Sequence, residues 1–181
     1  ISVDYPSLSP AEKERLTKRF ATILLDDIGP DKDIPAPDVN TGAQEMAWIM
    51  NTWRMIHGRY DRSIVTGKPL SLGGSQGRST ATGYGLVMVL EEGAGDLALD
   101  LAECTAAVQG FGNVGCSAAV ALHRLGVRIT AVSNVDGGLR HPEGLDPLAL
   151  QQFLRDGGRL PDYPGGEATA LEDVLAEEAD I

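Results

Sequence analysis

Apolar residues recur at helical spacing through the first part of the chain. In residues 8–30 they follow the 3.6-residue period, which predicts a helix with one buried face. Ser9 and Glu12 fit a capping box at the start of this helix, and Gly29 with Pro30 indicates its end. The segment is predicted to be structural, with no chemistry of its own.

A second helix is predicted by the same criteria. Thr41 and Gln44 fit a capping box, and the helix then carries methionine and tryptophan on one apolar face until it ends near Gly58. The glycine-rich loop "TGKPLSLGGSQGRSTATGYG" that comes after it breaks any period. We therefore expect a domain boundary in this loop, dividing residues 1–74 from residues 75–181.

A third helix is predicted for residues 79–92. After it, the pattern of apolar and polar residues changes from helices alone to alternating strands and helices. The segments "CTAAVQGF", "NVGCSAAVALHRLG" and "VRITAVSN" alternate as strand, helix and strand, which is typical of a βαβ unit with parallel strands. Shorter helices are predicted near residues 146–156 and 170–178, and "EEADI" is predicted to begin a further buried strand. The expected fold class is α/β with a mainly parallel sheet.

Composition and charge narrow the classes of function. The chain has 181 residues, of which 43% are apolar, and its formal net charge of -11 argues against binding to nucleic acid or to anionic membrane surfaces. No apolar run is long enough to span a membrane and no signal peptide opens the chain, so we expect a cytoplasmic protein. The two cysteines and three histidines share no metal-ligand spacing, and no metal site is predicted.

The sequence "GFGNVG" places Gly110, Gly112 and Gly115 between a predicted strand and helix. In a dinucleotide-binding turn the first glycine permits the tight turn, the second lets the backbone approach a pyrophosphate, and the third lets helix and strand pack closely. The N–H groups at the start of the helix then bind the anion. The alternative is a tight βα turn that binds no nucleotide.

The end of the next strand should carry the group that binds the ribose of a dinucleotide. Asn134 lies nearest to that end and Asp136 follows two residues later. Asp136 could bind the 2′-hydroxyl, or it could be only a turn residue before Gly137. The sequence therefore leaves the choice between NAD and NADP open.

Asp38 follows two prolines, Pro35 and Pro37, in "DIPAPDVNTG". Prolines hold the backbone extended, which lowers the entropy cost of presenting the next side chain in one place. The carboxylate could cap the following helix, but Asn40 and Thr41 are already good caps, which leaves Asp38 for another role. A buried carboxylate beside a nucleotide fold suits proton transfer.

Three segments together closely resemble the glutamate dehydrogenases, within the glutamate, leucine, phenylalanine and valine dehydrogenase family. They are "DIPAPDVNTGAQEMAWIMNTW", "TGKPLSLGGSQGRSTATGYG" and "VQGFGNVG", and the resemblance runs over essentially the whole chain. It implies an NAD- or NADP-dependent enzyme that interconverts L-glutamate with 2-oxoglutarate and ammonium by hydride transfer. It also implies a homo-oligomer, usually a hexamer.

The resemblance assigns roles to both predicted domains and to four further positions. Residues 1–74 would be the C-terminal part of a substrate-binding, dimerisation-type domain, and residues 75–181 a Rossmann-like nucleotide-binding domain that is incomplete at its C-terminus. Asp38 matches the aspartate that transfers protons in the cleft. The remaining positions match residues that contact the nicotinamide end of the cofactor or its ribose, namely Arg78, Thr82 and Asn113.

The sequence also departs from the family. The family's catalytic lysine lies in a K-G-G motif that is not among these residues, so we expect the chain to be the central portion of a longer enzyme. Asn134 stands where an acid is common, and Cys116 follows the glycine motif. The alternatives are a leucine- or phenylalanine-type amino-acid dehydrogenase and a nucleotide-binding regulatory subunit or fragment without turnover.

Overall fold

A computed structural model describes residues 2–181, and these form two compact units. The first unit ends at Arg78 and the second begins at Ser79. The division lies in the glycine-rich loop after residue 78, whereas the domain boundary expected from the sequence lies after residue 74. The functional roles of the two units remain predictions.

The first unit is built on two helices, α1 (Pro10–Ile23) and α2 (Ala43–His57), with short 3-10 turns at Tyr5–Ser7 and Leu70–Leu72. The Ser9 hydroxyl accepts from the Glu12 N–H, and the Glu12 carboxylate accepts from the Ser9 N–H, which confirms the predicted capping box of α1. The core between the helices and the following loop is apolar; its fully buried members include Ala21, Met46, Ile49, Met50, Trp53, Ile64 and Val65.

The predicted cap of α2 is wrong by one residue. The N-cap is Gly42, whose N–H donates to Glu45 Oε2 at 2.7 Å. The Thr41 hydroxyl instead accepts from the Asp38 N–H at 2.7 Å and donates to the Asp38 carbonyl at 2.9 Å. At the other end, Gly58 takes the left-handed conformation (φ 68°) that terminates a helix, as predicted.

The second unit alternates helices and short strands. Its longer elements, in chain order, are α3 (Ala81–Asp96), β1 (Thr105–Gln109), α4 (Asn113–Arg124), β2 (Arg128–Asn134), β3 (Gly137–Arg140), α5 (Pro147–Arg155) and β4 (Glu167–Thr169). Two 3-10 turns, Leu160–Asp162 and Glu172–Ala176, complete it. The strand–helix–strand prediction is confirmed by β1, α4 and β2, and the short helix predicted near 146–156 is confirmed by α5.

The sheet has the order β1-β2-β3-β4, and only the β1–β2 pair is parallel. The other two pairs are antiparallel, so the prediction of a mainly parallel sheet is wrong for the described residues. The reason is a hairpin: Asn134 pairs with Gly137, so only two residues connect β2 to β3, which permits an antiparallel return but no crossover. The second unit is therefore a mixed α/β structure.

Close packing of α3 on α4 fixes the start of one helix beside the start of the other. A Cβ on Gly83 would lie 2.6 Å from both Ser117 Cβ and the Val114 carbonyl oxygen, so only glycine fits there. The sheet packs against α4 through an apolar core in which Ala106, Ala119, Ile129 and Val132 are fully buried. No helix among residues 2–181 is both long and apolar enough to cross a membrane.

Backbone hydrogen bonds extend the sheet beyond the β1 edge. The Ile181 N–H donates to the Thr105 carbonyl at 3.1 Å, and the Ala107 N–H donates to the Ile181 carbonyl at 2.9 Å. Asp180 Oδ2 accepts from the Thr105 N–H at 2.8 Å. These bonds follow the pattern of a parallel ladder. No strand is assigned to residues 177–181 and none of them is buried, so the buried strand at "EEADI" stays a prediction.

Candidate functional site

The glycine motif between β1 and α4 has the geometry that its spacing predicts. Gly110 has φ +92°, a backbone conformation that side-chain-bearing residues rarely adopt. A Cβ on Gly115 would lie 2.1 Å from the Gly110 carbonyl oxygen and 3.1 Å from Val108 Cγ1. The first and third glycines are therefore required by the turn and by the approach of α4 to β1.

Gly112 differs from the other two glycines of the motif. A Cβ added at Gly112 would meet no atom within 4 Å, so packing within this unit does not require a glycine here. Gly112 is the N-cap residue of α4, and no side chain caps this end of the helix within the described residues. The first N–H groups of α4 and the open face of Gly112 are thus available to an anionic ligand.

The turn is held by one carbonyl at the end of β2. The N–H groups of Gly110 and Phe111 both donate to the Ser133 carbonyl oxygen, the first at 2.9 Å. Phe111 is buried, whereas the neighbouring Asn113 is exposed. The Asn113 carbonyl accepts from the Ser117 hydroxyl at 2.6 Å. Asn113 therefore lies on the surface beside the glycine turn, with its backbone fixed in the first turn of α4.

A groove of about 290 Å³ lies at the N-terminus of α4. Its walls come from the starts of α3 and α4 and from α5, and they consist of Ser79, Thr80, Phe111, Gly112, Asn113, Cys116, Ser117, Gln151, Leu154 and Arg155. Sequence reasoning missed Gln151 and Arg155. The only signal for them was the amphipathic pattern of α5, which does not indicate what its polar face adjoins.

Cys116 is a buried thiol in the wall of this groove. Its sulfur accepts from Gln151 Nε2 at 2.8 Å, and only 7% of the residue is exposed. Burial raises the pKa of the Cys116 thiol, although the Gln151 contact and the charge of Arg155 oppose this. A protonated, buried thiol is a structural residue rather than a nucleophile.

The two candidate ribose-binding residues lie at the β2–β3 hairpin. Asn134 Oδ1 accepts from the Asp136 N–H at 2.8 Å, so the amide oxygen of Asn134 stabilises the turn. The Asp136 carboxylate is partly exposed and has Arg159 Nε 4.0 Å from its Oδ1. Asp136 is therefore a turn residue, and its side chain is also accessible to a ligand.

Arg78 and Thr82 belong to different units. Arg78 is the last residue of the first unit, and Thr82 is the second residue of α3 in the second unit. Both residues are exposed. Their contact with a nicotinamide remains a prediction.

Asp38 lies on a short turn between the proline segment and α2. Its Oδ1 accepts from the Val39 N–H at 2.8 Å, and its carbonyl accepts from the Thr41 N–H at 2.9 Å. The carboxylate therefore does not cap α2, which agrees with the expectation that helix capping is not its task. Asp38 is exposed within the described part of the chain, so the burial that would favour proton transfer is not provided by these residues.

The start of α2 next to this turn is tied to the first residues of the chain. Tyr5 Oη donates to Glu45 Oε1 at 2.7 Å, while Glu45 Oε2 accepts from the Gly42 N–H. Burial acts to raise the pKa of Glu45, but the hydrogen bonds from Tyr5 and from backbone N–H groups hold that pKa below its ordinary value. Glu45 is therefore ionised at neutral pH and stabilises the first turn of α2.

Comparison with known proteins decides the family. Residues 73–181, more than half of the chain, match the family described as Glutamate/Leucine/Phenylalanine/Valine dehydrogenase. The chain belongs to this family. Residues 1–55 match the region described as the Glu/Leu/Phe/Val dehydrogenase dimerisation domain.

Similar members of the family are glutamate dehydrogenases. The chain is 44% identical, over its whole length, to the glutamate dehydrogenase of Thermotoga maritima, of which it covers 44%. It is 44% identical to the NAD-specific glutamate dehydrogenase A of Halobacterium salinarum and 40% identical to the NADP-specific glutamate dehydrogenase A1 of that organism. The chain thus spans less than half the length of these relatives.

A solved structure confirms the fold relationship. The chain superposes with a TM-score of 0.90 on the hetero-hexameric glutamate dehydrogenase of Thermus thermophilus in its leucine-bound form, with 43% identity. The match covers 98% of this chain and 42% of the solved chain.

Within residues 2–181, no group of three or more histidine, cysteine or acidic side chains could hold a metal ion.

Proposed function

We propose that the protein containing this chain is a glutamate dehydrogenase, which interconverts L-glutamate with 2-oxoglutarate and ammonium using NAD or NADP. Membership of the family and similarity over the whole of this chain to several glutamate dehydrogenases support the reaction. The open face of Gly112 at the uncapped start of α4 is the single structural observation that carries the proposal, because a dinucleotide needs such a surface and internal packing does not.

The second unit offers backbone N–H groups and short uncharged side chains to a dinucleotide. The α4 N-terminus and the backbone at Gly110, Gly112 and Gly115 would receive the pyrophosphate. Thr82 and Asn113, with Arg78 from the first unit, would bind the nicotinamide end. Thr82 and Asn113 are short polar side chains that can bind a carboxamide or a ribose without adding charge. When bound, the nicotinamide accepts or supplies the hydride.

Asp38 would carry the proton between the substrate nitrogen and water. The tight turn with Thr41 and the preceding prolines fixes the Asp38 backbone, and the Val39 N–H orients its carboxylate. The exposure of Asp38 in the described residues means that the dry environment must be supplied by substrate, cofactor or further protein. Closure of the substrate-binding and nucleotide-binding domains would supply it, and assembly into a homo-oligomer, a hexamer by resemblance, is part of the same proposal.

The proposal is tested by following oxidation of NADH and of NADPH by the full-length protein with ammonium and 2-oxoglutarate. We expect turnover with 2-oxoglutarate and little with 4-methyl-2-oxopentanoate. The opposite preference would assign the protein to the leucine-type branch. Nucleotide binding with no turnover on either oxo acid would contradict the enzymatic proposal and support a regulatory subunit.

A further inference from the structure

The segment that carries Asp38 is tied to a loop that follows α2 in the chain. The Thr66 N–H donates to the Pro35 carbonyl at 2.9 Å. The next residue of the loop, Gly67, lies against Pro37, which directly precedes Asp38. Both contacts lie within the first unit. The backbone on the N-terminal side of Asp38 is therefore held by a second segment as well as by its own turn.

The loop, residues 64–68, has a fixed position because it begins in the core. Ile64 and Val65 are each only 1% exposed and belong to the apolar core of the first unit. The Lys68 ammonium donates back to the Val65 carbonyl at 2.8 Å and closes the loop around Gly67. The loop thus links the segment before the proposed proton-transfer group to buried residues.

The contact between Gly67 and Pro37 leaves no room for a side chain. Gly67 has φ +61°, and a Cβ on it would lie 2.5 Å from Pro37 Cγ and 2.6 Å from Pro37 Cδ. The proline ring cannot rotate away from such a contact, because it is bonded to its own backbone nitrogen. A side chain at position 67 must therefore displace backbone next to Asp38 or in the loop itself.

We propose that Gly67 is a positioning residue for the proton transfer assigned to Asp38, because it sets the place of Pro37 and thereby that of the aspartate. The catalytic part of this inference rests on the proposed function, whereas the positioning part does not. A general acid or base acts only within hydrogen-bonding distance of the reacting atom, so a small displacement of its backbone lowers the rate. Gly67 acts through Pro37 and is not itself a catalytic residue.

The test compares Gly67→Ala with the matched control Gly58→Ala in the full-length protein. Gly58 also has a positive φ, +68°, but a Cβ on it would meet no atom within 4 Å, so the control carries the backbone strain without the contact. We expect Gly67→Ala to lower kcat for amination of 2-oxoglutarate roughly 10- to 100-fold, because misplacing a catalytic group by about 1 Å has a cost of this order. NADH affinity in both variants, and kcat in Gly58→Ala, should stay within about twofold of wild type.

A second background shows whether the ring of Pro37 causes the effect. Pro37→Ala removes Cγ and Cδ and keeps Cβ, which lies 3.9 Å from the position of the added methyl group. In this background Gly67→Ala should lower kcat less than about threefold, so the two substitutions should be strongly non-additive. An equal loss with proline and with alanine at position 37 would overturn the proposal, as would a loss no larger than that of Gly58→Ala.

Amide exchange gives a readout that needs no turnover. The Asp38 N–H donates to the Thr41 hydroxyl and the Thr41 N–H donates to the Asp38 carbonyl, so both amides report on the turn. Hydrogen–deuterium exchange of residues 38–41 should be faster in Gly67→Ala than in wild type and unchanged in Gly58→Ala. This difference in a protein without turnover would refute the proposed reaction and support the positioning. Equal exchange in all three proteins would overturn the positioning, whatever the activity.

Lys68→Met decides the question if Gly67→Ala does not fold. It removes the hydrogen bond to the Val65 carbonyl and adds no atom to the contact with Pro37. We expect a several-fold fall in kcat, with faster exchange of residues 38–41. Unchanged kcat and unchanged exchange would then overturn the proposal.

Discussion

The two units of this chain hold their candidate residues in different ways. In the second unit the backbone requires glycine at two positions of the motif. Gly110 has a positive φ, and Gly115 lies too close to the Gly110 carbonyl for any side chain. In the first unit, Asp38 is exposed on a turn held by local hydrogen bonds to Val39 and Thr41. The candidate binding surface is therefore formed within a single unit, whereas the proton transfer proposed for Asp38 would need groups beyond the described residues of its unit.

Replacement of Asp38 should give the largest effect, a loss of catalytic activity, and it changes only the first unit. The substitution Asp38→Asn keeps an oxygen that can accept from the Val39 N–H but cannot take up a proton at neutral pH. We expect kcat for amination of 2-oxoglutarate to fall about 10²- to 10⁴-fold, with NADH affinity unchanged. Steady-state kinetics and nucleotide titration of the full-length protein measure both quantities.

Asp31→Asn is the matched control, because Asp31 is also an exposed carboxylate of the first unit. It should leave kcat within about twofold of wild type, as exposed surface changes usually do. Asp38→Asn retaining more than about a tenth of the activity would remove Asp38 from proton transfer, since a general acid or base contributes far more than tenfold.

Replacement of Gly115 should give the next largest effect, and it tests packing in the second unit. In Gly115→Ala the new methyl group meets a backbone oxygen at 2.1 Å, so α4 must move away from β1. We expect a loss of roughly 1–3 kcal/mol in the free energy of unfolding, the range typical of overpacking. Chemical denaturation followed by circular dichroism measures it.

Gly112→Ala is the comparison for Gly115→Ala, because it adds the same methyl group to open space three residues earlier. We expect stability within about 0.5 kcal/mol of wild type, together with at least about tenfold weaker nucleotide binding, because the methyl occupies the surface on which a pyrophosphate would lie. A variant that is stable and binds NADH and NADPH normally would show that the turn only packs.

Replacement of Tyr5 should give the smallest effect, and it depends on pH. Tyr5→Phe removes the 2.7 Å hydrogen bond to Glu45 and should cost about 1 kcal/mol at pH 7. Because the fold lowers the pKa of Glu45 from its ordinary value of 4.5, the stabilisation is complete above that pH and is lost as the pH falls through the lowered value. The difference between wild type and variant in thermal denaturation should therefore shrink below about pH 4.5.

Tyr60→Phe provides the control for this pH dependence. Tyr60 donates to the Leu72 carbonyl at 2.8 Å, an acceptor that does not titrate. The loss of stability in Tyr60→Phe should be constant between pH 4 and 7 on the order of 1 kcal/mol. A Tyr5→Phe effect that is equally constant would exclude the ionised Glu45 as the partner that matters.

The parts of the fold that were predicted are those with a repeating or positional signal. The capping box of α1, the glycine that ends α2, and the β1–α4–β2 sequence were found because capping residues and hydrophobic periods are local. The family resemblance was also present in the sequence, and the comparisons confirm it.

The parts that were missed are short or depend on contacts between distant segments. Strand β3 contains two glycines in four residues and β4 has only three residues, so neither has enough side chains to show a period. Asp136 and Gly137 indicate a turn, but Gly137 is already the first residue of β3, so the pair does not show the Asp-Gly loop that predicts a hairpin. Gln151, Arg155 and Arg159 approach the candidate site through tertiary packing, which no local pattern reveals.

The Ser133 carbonyl oxygen joins the two halves of the candidate nucleotide site. It accepts from Gly110 and Phe111 in the glycine turn, and it lies one residue before Asn134, where the hairpin begins. The spacing between the surface proposed for a pyrophosphate and the surface proposed for a ribose is thus set before a ligand arrives. Less conformational entropy is then lost on binding, so a larger share of the contact energy appears as affinity.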